Sequence, residues 1–147
     1  MPPKIKTAPA PSLAQLSNDL RLACMRISRR IRFESTHAVA PHQFSVLARL
    51  EETPLTPREL AEIERVSAPS MSRTVAGLVE AGLAGRQDDP TDGRQVIISL
   101  TAQGRRVLGE TRRSREQWMA TRLRALSVEE REVLARASVI LARVAAA

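Results

Sequence analysis

Apolar residues recur every three or four positions between Ser12 and Glu34, at Leu13, Leu16, Leu20, Cys24, Ile27 and Ile31. That spacing marks one face of a long amphipathic helix. Arg21, Arg26, Arg29, Arg30 and Arg32 lie between these positions, as a solvated face or as groups for phosphate contact or inter-subunit pairing. After the connection STHAVA, the run PHQFSVLARLEE predicts a second helix, with Pro41 in its first turn and Phe44, Val46, Leu47 and Leu50 turned inward. Pro54 stops it. Thr56 then starts a third helix as N-cap, with Pro57 at the first helical position and Glu59 placed to reach back to the cap amide. Ser67 opens a fourth in the same manner, with Pro69 in its first turn, and Gly82 supplies its stop. The period then changes. QVIISL alternates apolar residues and is rich in β-branched ones, which predicts a strand, with a short partner around Leu83 to Gln87. The turn DDPTDGR between them holds Pro90 and Gly93. Thr101 caps a long arginine-rich helix to about Ala125. Ser127, with Glu130 three residues on, opens a last helix striped by Val133, Leu134, Ala137, Ile140, Leu141 and Val144. The predicted class is mainly α with one small β-hairpin.

The order from Thr56 to Thr101 is helix, turn, helix, hairpin. On a helical wheel Met71, Val75, Leu78 and Val79 gather on one side, and Pro69, Ser70, Arg73, Ala76 and Gly77 on the other. A face of small residues around one arginine can approach base edges closely, whereas a plain solvent face would carry several Lys/Glu pairs. Helix-turn-helix folds place their second helix in the major groove, and an arginine at a hairpin tip can enter the adjacent minor groove.

The chain of 147 residues is about one domain long. Its 23 basic and 16 acidic residues leave a net charge of +7, which attracts polyanions, either nucleic acid or an anionic membrane surface. All but two of the basic residues are arginine, a bias that suits bidentate contacts to phosphate and guanine and that GC-rich coding explains equally well. The single cysteine, Cys24, excludes an intrachain disulfide and a CxxC metal site. With no tyrosine, two phenylalanines and one tryptophan, RNA modules built on stacked aromatics are disfavoured. His37 and His42 do not share a helical face, so no metal site is expected. No nucleophile–base set or phosphate loop appears, and neither an enzyme nor a cofactor is expected. No apolar run reaches a membrane span, and the start of the chain lacks the apolar core of a secretory signal, so a cytoplasmic protein is expected.

Four of the nine prolines fall in residues 1–11, read as a flexible arm. Residues 12–147 form one unit, with residues 41–100 as a lobe with its own core. Residues 12–34 and 101–147 carry apolar stripes that are hard to bury in one chain, which points to a homodimer.

At QFSVLARL, TPRELAEIERVSAPSMSRTVAGLVEAGLAGR and DPTDGRQVIISLTAQG the chain resembles the MarR family of bacterial transcription regulators, over about Leu13 to Val144. The most specific part is Asp92-Gly93-Arg94 followed by an apolar strand and Leu100-Thr101-Ala102-Gln103-Gly104. The resemblance implies a triangular homodimer whose terminal helices interlock while two winged lobes straddle a near-palindromic double-stranded site. It assigns base or phosphate contact to Ser67, Ser70, Arg73 and Thr74, alongside Pro69 and Gly77 on the same helix. Arg94 becomes the minor-groove arginine, oriented through an ion pair with Asp92. Arg86, at the wing base, contacts phosphate or pairs with Asp88. The resemblance also implies a small anionic or aromatic effector between the dimerisation helices and the lobe, with Arg21, Cys24 and His42 in reach. Redox sensing at Cys24 fits poorly, because Cys24 continues the packing stripe and no tyrosine is present to orient a thiolate. The reading is a sequence-specific, ligand-responsive repressor. The alternative is a winged-helix module for protein interaction or for a membrane surface.

Overall fold

Helices in this chain begin where a hydroxyl can take up an orphan amide. The computed structural model describes residues 9–35 and 38–147, so most of the expected arm, and His37, lie outside the described residues. Helix α1 (Leu13–Glu34) starts at Ser12, whose Oγ accepts from the Gln15 amide at 3.2 Å. Helix α3 (Pro57–Glu64) is capped reciprocally: Thr56 Oγ1 accepts from the Glu59 amide at 3.1 Å, and the Thr56 amide donates to Glu59 Oε2 at 2.8 Å. Ser67 caps α4 (Ala68–Glu80), Thr101 caps α5 (Ala102–Arg124) and Ser127 caps α6 (Val128–Ala146), the last again reciprocally with Glu130. Helix α2 (Pro41–Glu52) follows Ala40, which has no side-chain acceptor to offer; Gln43 Oε1 takes the Ala40 amide at 3.0 Å instead. Each such cap contributes on the order of 1 kcal/mol.

Strands β1 (Ala84–Asp88) and β2 (Val96–Leu100) pair antiparallel, with Ala84 opposite Leu100 and Asp88 opposite Val96. The first strand starts one residue later than the sequence predicts. The Leu83 amide is spent on the Leu78 carbonyl at 2.9 Å, closing the end of α4, and so cannot enter the ladder. Leu55 bridges to Ile98 through two backbone bonds of 3.0 and 2.8 Å, giving β2 a partner on its other edge.

The core is centred on the lobe and takes in the start of α5. Val46, Leu47 and Leu50 of α2, Leu60 of α3, Met71, Val75 and Leu78 of α4, Ile98 of β2 and Leu108 of α5 are buried in one cluster. The inward side of the α4 wheel is therefore the observed one, with Val79 half-buried at its edge. The flanking helices differ. Neither α1 nor α6 has a buried residue, and Leu13 stays 81% exposed and Val144 67%. Cys24, expected to pack in the stripe, is exposed, because no described residue of the chain covers that face. Helix α1 is instead held to α5 at its far end, where Glu34 accepts from Trp118 Nε1 and Arg122 at 3.1 Å each and pairs with Arg30 at 2.7 Å.

Candidate nucleic-acid interface

Two tight reversals frame α4. Between α3 and α4 the Val66 amide donates to the Ala61 carbonyl at 3.1 Å and the Arg65 amide to Glu62 at 3.3 Å, the paired bonds of a Schellman turn. At the end of α4 the same pattern recurs, with Leu83 bonded to Leu78 and Gly82 to Val79 at 3.0 Å. The left-handed residue is Gly82 (φ 76°) in the second turn and Arg65 (φ 54°) in the first. The second turn also anchors the wing: Thr101 Oγ1 donates to the Gly82 carbonyl at 2.7 Å, and the Thr101 amide to Leu83 at 3.2 Å. Buried Gly104 follows in such close contact with the Leu83 carbonyl that a Cβ would collide with it.

On α4, Ser67, Pro69 and Arg73 are exposed together with Ser72 and Ala76. The Ser67 hydroxyl is occupied as the cap, accepting from the Ser70 amide at 3.3 Å. Half-buried Thr74 donates its hydroxyl to the Ser70 carbonyl at 3.2 Å, which ties the side chain to its own helix. Gly77 is half-buried rather than open, because its missing Cβ would lie 3.4 Å from Gln43 of α2. Within residues 67–77, Arg73 thus stands as the one charged group among small exposed residues.

The wing tip is ordered by two aspartates. Asp89 Oδ1 accepts from both the amide and the hydroxyl of Thr91, at 2.9 and 2.8 Å, and these bonds hold its carboxyl below the usual range. Asp89 is not among the residues expected from the sequence, although an Asp two residues before a Thr is the signature of an Asx turn. Asp92 Oδ1 accepts from the Arg94 amide at 3.1 Å. The link to Arg94 therefore runs through its backbone, and no Asp92–Arg94 side-chain ion pair occurs among the described residues. Arg94 is thus exposed on a backbone whose amide is fixed. Arg86 is exposed on β1, opposite Ile98 in the register, and makes no ion pair with Asp88.

The three residues expected near an effector do not converge. Arg21 donates to Asn18 on the surface of α1, Cys24 lines an open groove with Met25 and Phe33, and His42 borders a cavity of about 100 Å³ beside Ser70 and Thr74. A larger cavity of about 320 Å³ lies between α1, α2 and α5, lined by Arg32, Phe44, Arg49, Arg112 and Arg115 among others. Arg115 lies over the Phe44 ring at 3.9 Å, and its buried Nε has no hydrogen-bond partner. Burial, and then the neighbouring Arg32 charge, push its guanidinium below the usual arginine range.

Residues 39–95, which contain α2 to α4 and the wing tip, match the model of the MarR family. A helix-turn-helix-type transcriptional regulator of Mycobacterium tuberculosis is 42% identical over 123 residues, covering 82% of this chain and 86% of the relative. The chain belongs to the MarR family. The structure of a MarR family protein from Bacillus stearothermophilus superposes with a TM-score of 0.72 at 27% identity, covering 92% of this chain and 96% of that one. A MepR variant from S. aureus, solved bound to an oligodeoxyribonucleotide, shares the fold with a TM-score of 0.65 at 20% identity, over 88% of this chain and 97% of that one. The protein is a MarR-family transcription regulator, from a family of regulators rather than enzymes, with a winged helix-turn-helix fold. No helix of its described residues is long and apolar enough to cross a membrane.

Proposed function

We propose that this MarR-family protein acts as a homodimeric repressor, binding a near-palindromic double-stranded operator and leaving it when a small anion binds. The observation that carries the reading is the common exposure of Arg73, on an α4 face of small residues, and of Arg94, whose amide is fixed by Asp92. Helix α4 enters the major groove, with Arg73 and Ser70 toward base edges and with Pro69 and Gly77 letting the backbone come close. Ser67 and Thr74 serve chiefly to shape the helix, since their hydroxyls are already bonded within it. The wing offers Arg94 to the minor groove, where a narrow A·T-rich stretch deepens the negative potential, while Arg86 faces phosphate. Repression needs only occupancy of the operator. The MepR variant bound to an oligodeoxyribonucleotide supports DNA as the partner by likeness of fold.

Release by a ligand is supported by the arginine-lined cavity. An anion there would meet the unpartnered Arg115 Nε and relieve the repulsion from Arg32. Cys24 and His42 stand apart from this cavity, so neither is assigned a role in it.

The test is fluorescence anisotropy on duplexes from the region upstream of the gene, at two salt concentrations, with and without benzoate. Wild-type protein is expected to prefer one near-palindrome, and Arg94→Ala to weaken it by roughly tenfold or more. Benzoate is expected to release the wild type and not Arg115→Met. Equal, weak binding of every duplex, unchanged by Arg94→Ala, would favour an interaction module instead.

A further inference from the structure

The turn between α3 and α4 holds a conformation that favours glycine, yet an arginine occupies it. Arg65 is the only non-glycine residue with positive φ among the described residues. Both turns around α4 close with the same pair of backbone bonds, and the second uses Gly82 at the equivalent position. The backbone therefore does not require a side chain at Arg65, and an L-residue there is strained. An observed outlier of this kind points toward a use for the side chain.

The fold makes no use of it. Arg65 is exposed and has no side-chain hydrogen bond, ion pair or ring contact with any described residue. Its two acidic neighbours are already engaged elsewhere. Glu62 pairs with Arg58 at 3.3 Å, and Glu64 accepts from Ser45 at 2.8 Å and from Arg49 at 3.2 Å. An uncompensated guanidinium thus stands two residues before Ser67, the cap of the helix assigned to the groove.

We propose that Arg65 is a phosphate clamp: its guanidinium binds the DNA backbone at the edge of the groove that α4 enters, setting the register of the helix rather than reading a base. The proposal rests on the DNA-binding reading above. A phosphate contact adds affinity on every sequence and steepens the salt dependence, because each neutralised phosphate releases counterion.

The experiment uses the full-length protein, its melting temperature, and anisotropy on a duplex selected by the wild type from a random pool. Three variants separate charge from strain. Arg65→Gly relieves the backbone and removes the charge, and its melting temperature is expected to rise by about 3 °C. Arg65→Gln removes the charge and keeps the strain. Both are expected to bind the selected duplex roughly tenfold more weakly, with a salt slope shallower by about 2 for a dimer. Arg65→Lys is expected to retain most of the affinity. Arg65→Gly with wild-type affinity and salt slope would overturn the clamp while leaving the DNA-binding reading intact. Affinities that follow melting temperature rather than charge would overturn it too. Failure of the wild type to select any duplex would remove the DNA-binding reading and the clamp with it.

Discussion

Gly104 is where a single hydrogen matters most. The α5 backbone passes so close to the Leu83 carbonyl that even a methyl group has nowhere to go, since the obstacle is backbone and not a side chain that could turn. The glycine of the LTAQG stretch is therefore a packing requirement: it lets the start of α5 lie against the exit of α4 and so sets the base of the wing. Gly104→Ala is expected to cost at least about 2 kcal/mol, from the usual penalty for overpacking a tight site. Its melting temperature should fall by about 5 °C or more. Gly93→Ala at the wing tip is the control, because its added Cβ meets nothing within 4 Å and its φ is not positive. Scanning calorimetry of the two variants decides the matter, and equal melting temperatures would show that the contact yields without cost.

At the scale of elements, what the sequence reveals is what local chemistry dictates. Thr56 with Glu59, and Ser127 with Glu130, announce their helices because cap and partner lie three residues apart. The inward side of α4 and the alternating strand follow from periodicity alone. The α1–α5 clamp was not legible: Glu34 meets Trp118 and Arg122 across more than eighty residues, and no local pattern marks it. The same holds for Arg115, whose isolation depends on how α1, α2 and α5 pack, and for Arg65, whose left-handed backbone looks like any other surface arginine in the sequence. The clamp carries a pH dependence whose sign is fixed. Hydrogen bonds from Arg30 and Trp118, and then the nearby arginine charges, hold the Glu34 carboxyl below the usual range. Its contribution is complete above the unfolded glutamate value of about 4.3 and is lost as pH falls through the lower folded value. Glu34→Gln should therefore melt below the wild type near pH 7, and the gap should close on acidification toward about pH 3. A gap independent of pH would mean that the carboxylate charge contributes nothing to the clamp.

For the whole molecule, the lobe and its flanking helices satisfy different conditions. The lobe buries its own apolar residues, from Leu47 to Ile98, within one chain. Helices α1 and α6 leave Leu16, Leu20, Ile27, Val133, Leu134 and Ile140 at least 40% exposed, and covering the remaining area of each contributes on the order of 1 kcal/mol. A second copy is the occupant proposed for these faces, since the surfaces are stripes on terminal helices and a two-fold axis would present two lobes to the two halves of a near-palindrome. Arg65, Arg73 and Arg94 would then each act twice on one operator, and loss of dimerisation would weaken DNA binding without touching the lobe. Leu20→Glu combined with Ile140→Glu tests this directly. Light scattering should give the dimer mass for the wild type and the monomer mass for the double variant. Circular dichroism should show the helices of the lobe retained, and operator affinity should fall by at least about a hundredfold, because one half-site supplies only part of the contacts. A wild type that is monomeric at tens of micromolar, or a charged variant that still forms the dimer, would mean that these stripes are not the seam.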